Sequence, residues 1–106
     1  MKYYLTLDAG TSIIKCVIFN QNFKEKYKYS LKNPVITDHK GKSELDMNLF
    51  WDLSAKCIKI TINKSKINPK LITGVGITAN MVGFWPVNDK NSPLMNAILW
   101  NDTRSR

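Results

Sequence analysis

Two apolar segments rich in β-branched residues, Tyr3–Leu7 and Ile13–Phe19, are separated only by Asp8-Ala9-Gly10-Thr11-Ser12. Short apolar runs of this kind read as strands, and their near-continuous apolar character predicts central strands buried on both faces. A tight, glycine-containing turn between them predicts an antiparallel hairpin. The turn is not the glycine-rich loop that opens a helix in nucleotide-binding proteins, because a strand follows it.

The next stretch, Phe23–Leu31, alternates. Phe23, Tyr27, Tyr29 and Leu31 share one parity and Lys24, Lys26 and Lys28 the other, which predicts a third strand with one solvated face. The lysine row is either a guard against edge pairing or a stripe for nucleic acid. Asn33–Lys42, with Pro34 and Gly41, reads as a loop. Ser43-Glu44-Leu45-Asp46 has the form of a capping box, and Asp46 can itself cap the helix predicted over Met47–Asn63. Its apolar face is Leu49, Leu53, Cys57 and Ile60, flanked by Phe50 and Ile58. Asn68-Pro69-Lys70 closes the helix. Leu71–Thr78 follows as a strand whose Gly74 and Gly76 imply a closely packed neighbour, and Met81–Val87 and Met95–Trp100 read as two further strands.

At 106 residues the chain is one domain or a piece of one. Its 43% apolar and 23% charged residues exclude disordered, collagenous and coiled-coil classes. The net charge of +8 comes from 14 lysines and 2 arginines against 8 acids, and suggests anionic partners. The 11 asparagines and 11 isoleucines also fit a compositional bias with no binding role. Cys16 and Cys57 form no C-x-x-C and His39 is alone, so neither a cysteine framework nor a zinc site is supported. No apolar run has the length of a membrane span, and the chain reads as soluble and cytoplasmic.

Two segments carry chemistry. Asp8 at the end of a strand can hold Mg²⁺ or its water shell, and the Gly10-Thr11-Ser12 turn offers N–H groups and hydroxyls to phosphate oxygens, with Lys15 as a nearby point charge. Equally, Asp and Gly in a hairpin turn can be structural. In Ile98-Leu99-Trp100-Asn101-Asp102-Thr103-Arg104, Trp100 offers a flat wall to the C–H face of a sugar, or serves as core. Asp102 can accept from hydroxyls, and Arg104 can clamp Asp102 or meet a phosphate.

In this order, these segments resemble the start of the FGGY family of carbohydrate kinases. Four blocks match in register: Asp8–Lys15, Glu44–Trp51, Gly74–Thr78 and Ala97–Arg104. The resemblance implies an α/β fold of the ribonuclease H or actin-like ATPase type, in which a three-strand antiparallel meander precedes a helix and a parallel strand. It implies ATP and Mg²⁺ as cofactors, with Asp8 at the metal and Gly10, Thr11, Ser12 and Lys15 at the phosphates. For the sugar it implies Asn80, Met81, Val82, Trp100, Asp102 and Arg104. Xylulose kinases carry Gln-Met-His-Gly where this chain has Asn80-Met81-Val82-Gly83. Glycerol kinases carry Arg-Glu at Met81 and Val82, which points away from glycerol and toward a sugar, ketose, polyol or sugar acid.

The family's general-base aspartate and second domain lie beyond position 106. The expectation is therefore an incomplete first domain, inactive alone, with apolar surface open to homo-oligomerisation. A non-enzymatic basic module, actin-like or nucleic-acid-binding, is the alternative, although Tyr27 and Tyr29 would face away from the lysines. A ribonuclease H type nuclease would need carboxylates on the helix and at the end of the fourth strand, which instead closes Thr78-Ala79-Asn80.

Overall fold

In a computed structural model, which describes residues 1–105, the hairpin forms as its turn predicts. Strands β1 (Tyr3–Ala9) and β2 (Ile13–Asn20) are antiparallel, with Leu5 opposite Ile18 and Asp8 opposite Lys15. The Gly10 N–H donates to Ile13 O at 3.1 Å to close the turn. β3 (Glu25–Lys32) extends the meander, and β6 (Ile72–Ala79) joins parallel to β1, giving the order β3-β2-β1-β6. The mixed sheet of the expected fold is therefore present.

One helix, α1 (Met47–Ser65), covers one face of this sheet. Asp46 caps it by accepting the Leu49 N–H at 3.1 Å, and Lys66 ends it in the left-handed region at φ 63°. The core is Leu5, Leu7, Ala9, Ile14, Cys16, Ile18 and Cys57. The helix's buried line runs through Cys57 and Thr61, with Phe50, Leu53, Ile58 and Ile62 beside it. The predicted stripe is thus rotated: Leu49 is 40% exposed and Ile60 lies outside the core cluster. Thr61 takes the central place because its hydroxyl donates to the Cys57 carbonyl at 2.6 Å, which satisfies it in an apolar setting.

The two central strands are buried on both faces only around Val17 of β2, which is buried between Cys16 and Ile18. Thr6, Asp8, Ile13 and Lys15 are exposed on the face away from α1. Because α1 lies over β2 and β3 and only reaches β1, Val75 and Ile77 of β6 are also exposed, although they flank Leu5 and Leu7. Phe23 does not share the face of Tyr27. At φ 61° it belongs to the turn before β3, and its ring stacks on Tyr4 at 5.5 Å. Gly74 is explained by the same tyrosine, since a Cβ there would sit 3.1 Å from the Tyr4 ring.

A second, smaller sheet was only partly legible. β4 (Ile36–Thr37) lies inside the predicted loop, and β5 (Ser43–Leu45) occupies the predicted capping box, leaving Asp46 as sole cap. β7 (Ala97–Ile98) pairs with β5 and is all that remains of the predicted Met95–Trp100 strand. Met81–Val87 is not a strand: Val82 and Gly83 both have positive φ, 64° and 107°, which an extended chain cannot tolerate, and the segment makes isolated bridges, Phe84 to Ile98 and Val87 to Pro93. Leu45, Ala97 and Leu99 form the second core with Met47, Phe50 and Trp85 around them. Phe50 belongs to both cores and ties the two sheets together.

Candidate functional site

The parallel pairing of β1 and β6 brings their carboxyl ends side by side, so the turn after Ala9 meets the segment after Ala79. Asn80 N–H continues the ladder to Ala9 O at 3.0 Å, and its side-chain amide donates to Gly10 O at 3.1 Å. Thr11 Oγ1 donates to Asn80 Oδ1 at 2.5 Å. Trp100, from the segment after β7, donates its indole Nε1–H to Thr11 Oγ1 at 3.1 Å. Gly10, Thr11, Asn80, Met81, Val82 and Trp100 consequently line one open cleft of about 530 Å³. Gly10 and Thr11 of the turn read as phosphate-facing thus share this cleft with Asn80, Met81, Val82 and Trp100 of the residues read as sugar-facing, while Ser12, Lys15, Asp102 and Arg104 do not line it.

Asp8 stands at the end of β1 on the exposed face, and Thr78 Oγ1 donates to its Oδ1 at 3.2 Å. Lys15 is opposite Asp8 in the β1–β2 register, so both side chains leave the same face. Ser12 and Lys15 are exposed beside the turn. An open carboxylate with hard oxygen donors suits a Mg²⁺ that keeps most of its water. Among the described residues no group of three or more His, Cys, Asp or Glu side chains is clustered as a metal cage.

Asn33 opens the predicted loop, and nothing in its sequence context marks it as a site residue. It is 2% exposed, and its Nδ2 donates to Gly10 O and Thr11 O, both at 3.0 Å, while its N–H donates to Ser12 O at 2.9 Å. This one side chain holds the outer half of the turn from beneath. The available signal was its position just before a proline, which marks irregular backbone but not what that backbone supports.

On the far side of Trp100 and Val82 a second cleft, about 640 Å³, is lined by Glu44, Phe84, Met95, Ile98, Asp102 and Arg104. Asp102 and Arg104 meet as the sequence allowed. Arg104 Nε donates to both Asp102 oxygens at 3.1 and 3.0 Å, and its Nη2 lies 2.7 Å from both Asp102 Oδ2 and Glu44 Oε2. Asp102 Oδ2 also accepts the Ser43 N–H at 2.8 Å, and Glu44 Oε1 accepts from Asn96 at 3.2 Å. The Arg104 guanidinium, followed by the Ser43 amide, holds the Asp102 carboxyl well below its usual range. Glu44 is lowered by the same guanidinium first and by Asn96 second, and Arg104 is raised in return, by Asp102 before Glu44. Glu44, which the sequence places only in a capping box and a family block, is the member of this group without a predicted site role.

A glycine turn and an aromatic wall on one cleft, at the end of a mixed β3-β2-β1-β6 sheet with α1 over one face, belong to part of an actin-like ATPase domain. The profile of the FGGY family of carbohydrate kinases, N-terminal domain, matches residues 3–106, and the chain belongs to that family. It is 38% identical over 105 residues to a probable L-xylulose kinase of Haemophilus influenzae, covering 99% of this chain and 22% of that protein. It is 37% identical over 103 residues to a xylulose kinase of Staphylococcus epidermidis, covering 95% of this chain and 20% of that one. The crystal structure of gluconate kinase from Lactobacillus acidophilus superposes with a TM-score of 0.83 at 28% identity, over 95% of this chain and 20% of that chain. The chain thus spans about a fifth of the length of these relatives.

Proposed function

We propose that residues 1–106 supply one wall of the active-site cleft of an ATP-dependent kinase that phosphorylates a hydroxyl of a ketose or sugar acid, nearer to xylulose and gluconate kinases than to glycerol kinases. The observation that carries this reading is the shared cleft, in which the Gly10–Thr11 turn and the Trp100 wall are joined by a hydrogen bond. Phosphoryl transfer is achieved chiefly by positioning two substrates and neutralising charge, so a site of this kind needs phosphate-facing and sugar-facing groups within one span.

In that role the exposed face of the turn, with Ser12 and Lys15, meets the phosphates of ATP. Asp8 holds Mg²⁺, which when bound neutralises phosphate charge. Trp100 stacks on the carbon face of the sugar, beside Met81 and Val82. Asp102 and Arg104 are turned toward each other and Glu44, so they shape the second cleft mainly by fixing its wall. The general base and adenine pocket belong to the portion these 106 residues do not include. No described helix is long and apolar enough to cross a membrane. The exposed Val75 and Ile77 accord with further chain or a second copy packing there.

The test is ATP-dependent phosphorylation by the full-length protein against a panel of xylulose, gluconate and glycerol. Turnover is expected with the first or second and weakly or not at all with glycerol, and Asp8→Asn should lower it at least ~100-fold. No turnover with any of the three, or an Asp8→Asn rate equal to the parent's, overturns the reading. The 106-residue chain alone is expected to show no turnover. The basic-module alternative finds less support, since Tyr27 and Tyr29 lie on the α1 side of β3 while Lys28 of the lysine row points away from it, Lys24 precedes the strand and Lys26 falls at the register shift against β2. Those rings cannot form a stacking surface beside the lysines.

A further inference from the structure

We propose that the Thr11 hydroxyl is a positioning group for the sugar wall and not a phosphate ligand. Oriented by Asn80, it accepts the Trp100 indole N–H and so latches Trp100 to the turn, and thereby sets where the sugar lies relative to the transferred phosphate. This rests on the kinase reading for its consequence, but the latch itself rests on hydrogen-bond accounting alone.

A threonine hydroxyl has one hydrogen and two lone pairs. The hydrogen goes to Asn80 Oδ1 at 2.5 Å, and one lone pair receives the Trp100 indole N–H at 3.1 Å. No proton is left for a phosphate oxygen. The orientation of Asn80 is fixed in turn: its Nδ2 donates to Gly10 O at 3.1 Å and to Ala9 O at 3.4 Å. Turning the amide over would set its oxygen against two carbonyl oxygens. Asn80 therefore presents an acceptor to Thr11, and Thr11 must donate to it.

Trp100 is the beneficiary. Its side chain is 61% exposed, and an indole that open would ordinarily sample several rotamers. Pinning its only polar atom leaves the ring's apolar surface lining the cleft in one orientation. A wall immobilised before the sugar arrives spares the binding step that ordering cost. It also fixes the separation of the reacting groups, where small misplacements are expensive. Ser12, whose side chain is exposed beside the turn, remains the hydroxyl free to meet phosphate.

The experiment uses the full-length protein with xylulose, or with gluconate if that is the better acceptor. Thr11→Val removes the hydroxyl and keeps the branched shape; Thr11→Ser restores the hydroxyl. Thr11→Val should raise the sugar KM roughly tenfold with the ATP KM changed less than about twofold, and Thr11→Ser should recover most of the loss. An ATP KM that rises as much as the sugar KM, or two unchanged KM values, overturns the proposal. Trp100→Phe keeps an aromatic ring in the cleft but removes the N–H that Thr11 Oγ1 accepts, and should move the sugar KM in the same selective way, which keeps the test available if Thr11→Val does not fold.

A readout independent of turnover comes from ¹⁵N-indole NMR, with the Trp100 signal assigned by its loss in Trp100→Phe. Its N–H resonance should shift upfield and exchange faster with solvent in Thr11→Val, and match the parent in Thr11→Ser. An unmoved resonance in Thr11→Val means there is no latch. A kinase assay that fails while this resonance moves removes the sugar-kinase reading and leaves the latch.

Discussion

Arg104 Nη2 stands 2.7 Å from Glu44 Oε2, joining the segment after β7 to the middle of β5. The same nitrogen is 2.7 Å from Asp102, whose side chain is 7% exposed. The arginine is a clasp between two strands that the sequence separates by half its length.

The clasp makes stability depend on acid. Both carboxyls are lowered in the folded chain, chiefly by hydrogen bonds from Arg104, so folding favours their ionised forms. That contribution is fully present above the ordinary carboxylate range near pH 4 and is lost as pH falls through and below it. Thermal melts from pH 7 to pH 2 should show a falling Tm at the acid end, and Arg104→Met should flatten that fall. Parallel curves for the two proteins would contradict it.

Val82 is β-branched, 80% exposed and at φ 64°. A left-handed conformation costs such a residue about 1–2 kcal/mol, and asparagine tolerates it better. Val82→Asn should therefore stabilise the fold by about 1 kcal/mol in urea unfolding, despite adding a polar group. A loss of stability would mean that the valine side chain is packed and not strained.

Helix α1 covers the large sheet over β3, β2 and part of β1 but leaves Val75 and Ile77 of β6 exposed, which predicts opposite responses from neighbouring positions. Leu5 is 2% exposed and Ile77, across β6, is 66% exposed. In the 106-residue chain Leu5→Ala should cost about 2–5 kcal/mol and Ile77→Ala within about 0.5 kcal/mol, measured by urea denaturation. Comparable losses at both sites would show Ile77 to be covered, for instance by a second copy.

Cys16 and Cys57 are fully buried, and burial is the main cause pushing both thiols above their ordinary value. Thiolate is the reactive form, so both should resist alkylation. Iodoacetamide at pH 8 followed by mass spectrometry should find them unmodified in the native chain and both modified in 6 M guanidinium chloride.

The hairpin, the third strand, the helix and the strand at Leu71–Thr78 could all be read from the chain, because each depends on periodicity or turn chemistry within a few residues; that the last strand runs parallel came only from the family resemblance. Ile13–Phe19 could hardly be anything but a strand, and the Gly10 turn had to reverse it. The four blocks from Asp8 to Arg104 likewise named the family, since side-chain identity at fixed spacing is linear information. Other features needed the folded chain. Thr61 became the centre of the helix's buried face through one bond to a carbonyl, which no apolar pattern records. Met81–Val87 looked extended by composition, yet two positive-φ residues against the second sheet turned it away. Asn33 beneath the turn, Glu44 on Arg104 and Trp100 on Thr11 are pairings across 22, 60 and 89 positions of chain. Their geometry is set by how two sheets share Phe50 and how β6 aligns with β1. Local preference chose the elements here; the packing of elements against one another chose which polar atoms would meet.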